Sequence, residues 1–489
     1  MLHSFFYPET VKAFTALTQT EPSCAMAYWG VAISQRPNPL VPPFSREALQ
    51  AGWAAIEKAR NAGPPTPRER DWIEALSVFF EHYDTLDQKQ RTAKYEAAMA
   101  QLHERYPQDI EAAVFYALAL NEAVDLSDKS YSRQLKAAAI LEPIAKKLPD
   151  HPGVAHLIIH SYDYAPIASK GLAAARRYAA LAPTAPHALH MPSHIFSTLG
   201  MWQEAIGADL ASDAAAKAYA AKVTPDVAAN TAANPARYHS LDFLTNAYLQ
   251  LAQDQHARAI VEARNTVAAL SPDFRYSAHT AFAAIPARYA IERGAWAEAA
   301  ALAPPSTPYP QAEAITWFAR ALGAARSGDL TRAHRNVDEI LRLRALLVTS
   351  QDVYWIEQVD IQAEAARAWI AFGERHPDSA LQWLRSAADR EDRTEKHVAM
   401  ENRLLPMREL LGELLLEAGH PAEAQREFEQ SLKAVPNRFR SLAGAARAAA
   451  LAGNSGQARR HYRQLLVLTG HADSERAPMT AARDFLAKH

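Results

Sequence analysis

A single cysteine, Cys24, in 489 residues excludes disulfides within the chain and thiolate-rich zinc or iron–sulfur sites. Charge of one sign is missing too. The formal net charge is −2, with no basic block, so the electrostatic footprint of a nucleic-acid-binding protein is not indicated. No apolar run reaches the roughly 18 residues that a membrane-spanning helix needs. The opening stretch MLHSFFYPETVKAF lacks the basic region and apolar core of a signal peptide. Also absent are the GxSxG, P-loop, HExxH and dinucleotide-binding motifs, which removes the commonest hydrolase, nucleotide and zinc-protease readings. Glycine is scarce, at 17 residues, whereas alanine is abundant. That balance suits closely packed helices. Hydrophobic residues at 49% and charged ones at 22% fit a folded chain rather than a disordered one.

What is present is a repeat. Pro22, Pro107, Pro149 and Pro183 each follow one amphipathic stretch and precede another. Turn glycines followed five residues later by alanine recur as Gly200/Ala205, Gly294/Ala299, Gly328/Ala333, Gly419/Ala424 and Gly453/Ala458. The pattern resembles the tetratricopeptide repeat family, whose unit of about 34 residues is a helical hairpin with a turn glycine and a late proline. The resemblance implies an all-α solenoid of helical hairpins wound into a right-handed superhelix. It is read as one array over 1–489, of roughly ten to twelve repeats with the first one truncated. The chain opens inside a repeat, so the cytoplasmic location expected from its first residues leaves room for a lost upstream segment. Longer connections fall at 35–44, 222–237, 303–310 and 389–406, the last expected to be a solvated connector that carries Lys396, His397 and Glu401. The stretches LHSFFYPETVKAF, APHALHMPSHIFSTLGMWQEA and LKAVPNRFRSLAGAARAA resemble a widespread bacterial group of tetratricopeptide proteins. That likeness implies the fold and leaves the activity open.

Histidine carries the functional signal. Of 19 in the chain, six fall between 151 and 194: His151, His156, His160, His187, His190 and His194. His156 and His160 are four apart, as are His190 and His194, which puts each pair on one helix face. The two pairs are 34 residues apart, one repeat period, so they occupy equivalent positions of successive hairpins. In the tetratricopeptide register all four fall at groove positions of first helices, as do His187 and Asp163. A single groove histidine is ordinarily a polar surface residue. Two period-matched pairs point instead to one ion held by His156, His160, His190 and His194, with Asp163 and His239 as further ligands. His187 and Asp242 are expected to orient those imidazoles.

Without cysteine the ligand set suits Cu, Fe, Mn or Zn. Tyr162, Tyr164 and His187 are the candidates for proton transfer, and Tyr238 lies nearby. The bland reading of the tyrosines is aromatic packing. Trp29 and His3 share groove positions but lie far along the array. Arg275, Tyr276 and His279 are candidates to hold an anionic substrate. The leading expectation is a metalloenzyme, with redox chemistry favoured over hydrolysis, acting on a small molecule in the groove. Segments 35–44 and 222–237 would cover that site. The rival from another class is a non-enzymatic scaffold that binds a peptide or protein. Neither reading involves nucleic acid or a membrane.

Overall fold

A computed structural model describes residues 1–223, 235–350, 352–401 and 403–488. Most of the segment 222–237 therefore lies outside the described residues. Among the described residues there is helix and no strand, and no helix is long and apolar enough to cross a membrane. The helices form antiparallel hairpins of tetratricopeptide type and gather into two compact units. One spans Met1–Asp163 and Ile167–Ile195; the other spans Tyr164–Pro166 and Phe196–His489.

In the first unit the helices are α1 (Tyr7–Thr20), α2 (Ala25–Ser34), α3 (Arg46–Asn61), α4 (Pro67–Phe80) and α5 (Gln88–Arg105). They continue as α6 (Ile110–Glu122), α7 (Ser132–Lys147), α8 (Pro152–Tyr162), α9 (Leu172–Leu181) and α10 (Pro186–Thr198). Each of the four prolines expected to separate helices does so. Pro22 lies between α1 and α2, Pro107 between α5 and α6, Pro149 between α7 and α8, and Pro183 between α9 and α10. Helix starts are written locally. Thr66 with Glu69, and Asp87 with Gln90, close capping boxes at the heads of α4 and α5, satisfying N–H groups that a helix end leaves without partners.

From α1 to α9 successive helices pack on one another, and α2 packs on α4 as α6 does on α8. Trp29 of α2, Trp72 of α4 and Phe115 of α6 meet edge to face, with centroids 5.4–5.6 Å apart, and tie three hairpins together. Helix α8 is buried along its whole length from Gly153 to Tyr162. A helix covered on every side has no open groove face. The covering element is the short 3-10 turn Leu2–Ser4, which packs on α8.

The second unit repeats the hairpin and then closes on itself. Its turn glycines Gly200, Gly294, Gly328, Gly419 and Gly453 all take positive φ, as the hairpin reading requires. Helix Pro235–Gln250 packs against Tyr276–Glu292 and also against Phe439–Leu451, some 200 residues further on. Trp202 Nε1 donates to the Asn437 carbonyl at 2.8 Å, and Asn437 Nδ2 donates to the Gly200 carbonyl at 3.1 Å. A Cβ on Gly200 would lie 2.1 Å from the Pro436 carbonyl oxygen, so this turn can only be glycine.

Candidate metal centre

His156 is the fifth residue of α8 and His190 the fifth of α10, so the one-period spacing places both pairs at matching depths on matching helices. All four imidazoles are buried: His156 is 0% exposed, His160 5%, His190 3% and His194 1%. They do not enter as one ring of four. Nε2 of His156 lies 3.0 Å from Nε2 of His160 and 3.1 Å from Nε2 of His187. One ligand nitrogen from each of these three rings lies within 4.8 Å of the others. His190 and His194 form a separate pair, Nε2 to Nε2 at 3.1 Å. The ring centroids of His160 and His194 are 6.1 Å apart, edge to face.

The trio is framed by the start of the chain. Nδ1 of His156 lies 2.6 Å from the main-chain oxygen of His3. A carbonyl only accepts, so the proton sits on Nδ1 and the lone pair of Nε2 points at His160 and His187. Phe5 stacks on His187 (5.3 Å, 17°) and meets His156 edge on at 4.5 Å. Tyr178 lies flat against the other side of His156 at 5.2 Å. Burial, with His187 alongside, holds the His156 imidazole well below its ordinary pKa against the pull of the His3 carbonyl. The ring is therefore neutral, the form that ligates.

Asp163, at the C-cap of α8, is buried, and its Oδ2 lies 2.8 Å from Nδ1 of His194. That carboxylate stands behind an imidazole. His187 is the reverse case: expected behind the ligands, it puts Nε2 into the trio itself.

A third grouping, His3, Glu111 and His151, also brings three ligand atoms together. Nε2 of His3 and of His151 lie 3.0 and 3.2 Å from the two oxygens of Glu111. Nδ1 of His151 accepts from the Val154 N–H at the head of α8, at 3.3 Å. The His151 proton is thereby placed on Nε2, which donates to Glu111 and offers no lone pair to an ion. Burial alone would raise the Glu111 pKa, but the imidazoles of His151 and His3 outweigh it and hold the carboxyl well below the usual range. This grouping is a clasp that fixes His3, and with it the carbonyl on His156. Gly153 permits the approach, since a Cβ there would lie 2.5 Å from His3 Nδ1.

Tyr162 donates to Glu142 at 2.6 Å, and burial together with that carboxylate raises its pKa. Tyr164, His239, Asp242 and Tyr238 belong to the second unit. Both oxygens of buried Asp242 accept from Arg288, at 3.0 and 3.1 Å. His239 packs edge on to Phe243 and Tyr238 edge on to Phe282.

Of the proposed anion holders, Tyr276 contacts His397 through its hydroxyl at 2.9 Å. His279 lies 3.1 Å from the Ser271 carbonyl and 2.9 Å from the Thr307 hydroxyl. The segment 389–406 is no solvated connector: Lys396, Glu401, Leu404 and Leu405 are buried, and Glu401 accepts from Asn246 at 2.9 Å. Nothing local in its polar sequence signals this, because the partners are supplied by helices more than 100 residues earlier.

No protein-family profile matches the chain, and no curated protein matches it in sequence. Among solved structures, it is similar to a tetratricopeptide repeat protein from Parabacteroides merdae, 13% identical over 62% of this chain and 97% of the other, with a TM-score of 0.33. It is similar to human IFIT1, solved as a dimer with m7Gppp-AAAA, 10% identical over 95% of both chains, with a TM-score of 0.39. A third is the APC/C hetero-tetramer Cut9–Hcn1, 9% identical over 99% of this chain and 93% of the other, with a TM-score of 0.29. These chains are helical arrays that superpose loosely on this one.

Proposed function

We propose that this chain is a binding scaffold of tetratricopeptide-type hairpins whose first unit holds a transition-metal ion on His156, His160 and His187. The scaffold part is supported by the hairpin array, an architecture that presents extended helical surface to a partner. A partner peptide does not compete for the histidines, because the four of the two pairs are at most 5% exposed.

One observation carries the metal part. The single lone pair of His156 Nε2 faces two other ring nitrogens, at 3.0 and 3.1 Å. A hydrogen bond along that lone pair serves only one of them, whereas a cation serves all three. Metal–imidazole bonds of about 2.0–2.1 Å put neighbouring nitrogens about 2.9–3.4 Å apart, depending on coordination geometry. Imidazole ligands without thiolate suit Zn, Cu, Fe or Ni. Redox turnover, expected from the sequence, rests on the ligand set alone.

Elemental analysis of the purified protein tests the metal reading. At least one equivalent of a transition metal is expected, absent from His156→Ala/His160→Ala protein that keeps its helical circular dichroism. Wild-type protein that is metal-free and refuses added Zn(II) or Cu(II) would overturn it. For the scaffold, a peptide library panned against the holoprotein should yield a consensus, and the absence of any enriched sequence would count against it.

A further inference from the structure

In the second unit the helix Trp296–Ala301 stops after six residues, whereas Leu330–Thr349 runs for twenty. Both pack on the helix Pro310–Arg326. The short helix seats against Gly323, where a Cβ would lie 2.6 Å from the Ala300 nitrogen. One turn before Gly323, Arg320 donates through Nη1 to the carbonyl of Leu302, just past the end of the short helix. Trp317 lies a further turn away from it. There an open groove of about 470 Å³ is lined by Trp317 and Arg320 on one helix and by Arg332, Arg335 and Asn336 on the other.

The donors of this groove are not answered from within the chain. The Arg320 guanidinium packs on Trp317, 4.8 Å from the ring centroid, and its buried Nε has no partner among the described residues. Asn336 is 3% exposed, and its buried Nδ2 likewise has none. The exposed side chains of Arg332 and Arg335 form no ion pair among the described residues. Burial, and after it Arg332, push the Arg320 guanidinium below its ordinary range, with no carboxylate pulling the other way. Two acidic residues, Asp338 and Glu339, share the groove. Glu339 accepts from Arg342 at 2.7 Å, so its charge is answered from outside the lining. Three guanidinium groups against the single carboxylate of Asp338 leave an excess of two positive charges.

We propose that this groove binds a phosphate group, free or esterified. A phosphate ester carries about −1.5 to −2 charge at pH 7 and three acceptor oxygens, which matches both the excess charge and the unmet donors. Guanidinium forks take such oxygens in pairs, and the buried amide of Asn336 adds a neutral donor. A carboxylate brings one charge and two oxygens, and leaves half of the excess unanswered. The site lies wholly in the second unit and is independent of any ion held by the trio.

Isothermal titration calorimetry of the full chain with O-phosphoserine, inorganic phosphate and acetate tests the site. Saturable binding of both phosphates is expected, and none of acetate at the same concentrations. Tighter binding of phosphoserine assigns the groove to an esterified phosphate, and equal binding assigns it to the free ion. Arg332→Gln/Arg335→Gln changes only exposed side chains and should weaken binding by at least about tenfold. Asn336→Leu removes the buried donor and should weaken it by about tenfold. Three results would each overturn the site: neither phosphate binds, acetate binds equally well, or Arg332→Gln/Arg335→Gln keeps full affinity with unaltered circular dichroism.

Discussion

The main-chain oxygen of His3 lies 2.6 Å from Nδ1 of His156, a ring 153 residues away in the chain. The 3-10 turn at Leu2–Ser4 is thus part of the candidate metal centre, and it positions a ligand through its backbone rather than a side chain.

Gly153→Ala tests that link without touching a ligand. The added methyl would meet His3 Nδ1 at 2.5 Å and push the His3–Glu111–His151 clasp off α8. Competition with a chromogenic chelator should show metal affinity falling by about 10- to 100-fold, the usual cost of losing an orienting group. Unchanged affinity would mean that the His3 carbonyl does not set the His156 tautomer.

Metal removal should lower stability by mass action. At free metal 100 times Kd, a bound ion adds about 2.7 kcal/mol. EDTA should therefore lower the Tm of the wild type and leave that of His156→Ala/His160→Ala unchanged. Equal shifts in both proteins would place any bound metal elsewhere.

In the second unit Glu401 is pushed up to about 7, first by burial and also by Asp242, with Arg288 pulling the other way. Between about pH 4.5 and 7 the folded chain holds a proton that the unfolded chain has released. Stability from this group falls as pH rises through that window and levels off above it. Glu401→Gln keeps an oxygen for Asn246 and removes the titration. Its Tm should decline less than that of the wild type between pH 5 and pH 8; parallel curves would contradict this assignment.

Arg438 lies between Glu292 and Glu409, with all three side chains at most 1% exposed. Arg438→Met leaves buried Glu292 without the cation beside it and Glu409 with Arg440 alone, a loss of about 3–5 kcal/mol by urea denaturation. A loss below about 1 kcal/mol would show that the carboxylates share a proton instead.

The helical hairpins were legible because their signals are local: a proline between helices, a glycine in the turn, a 34-residue step from His156 to His190. The histidine pairs were legible for the same reason. What could not be read is how the pairs divide. Whether His187 reaches His156, or Asp163 turns to His194, depends on how α8 and α10 seat against each other. A repeat register does not encode that. The His3 carbonyl has no sequence signature at all, since every residue has a carbonyl. The burial of Lys396 and Glu401 escaped because polar loop composition reports solvent preference, whereas Asn246 and Arg288 supply partners from far away.

The bond from Trp202 to Asn437, with helix Pro235–Gln250 lying on Phe439–Leu451, has a consequence for how the second unit comes apart. In an open stack each hairpin leans only on its neighbours, so ends fray and truncation shortens the array by degrees. Here the last hairpins buttress the first, and Arg476 reaches Asp254 at 3.1 Å across 222 residues. Such a unit has no free end from which to unzip. Cutting it anywhere removes support from both sides of the cut, so it should be inherited, expressed and lost as a whole.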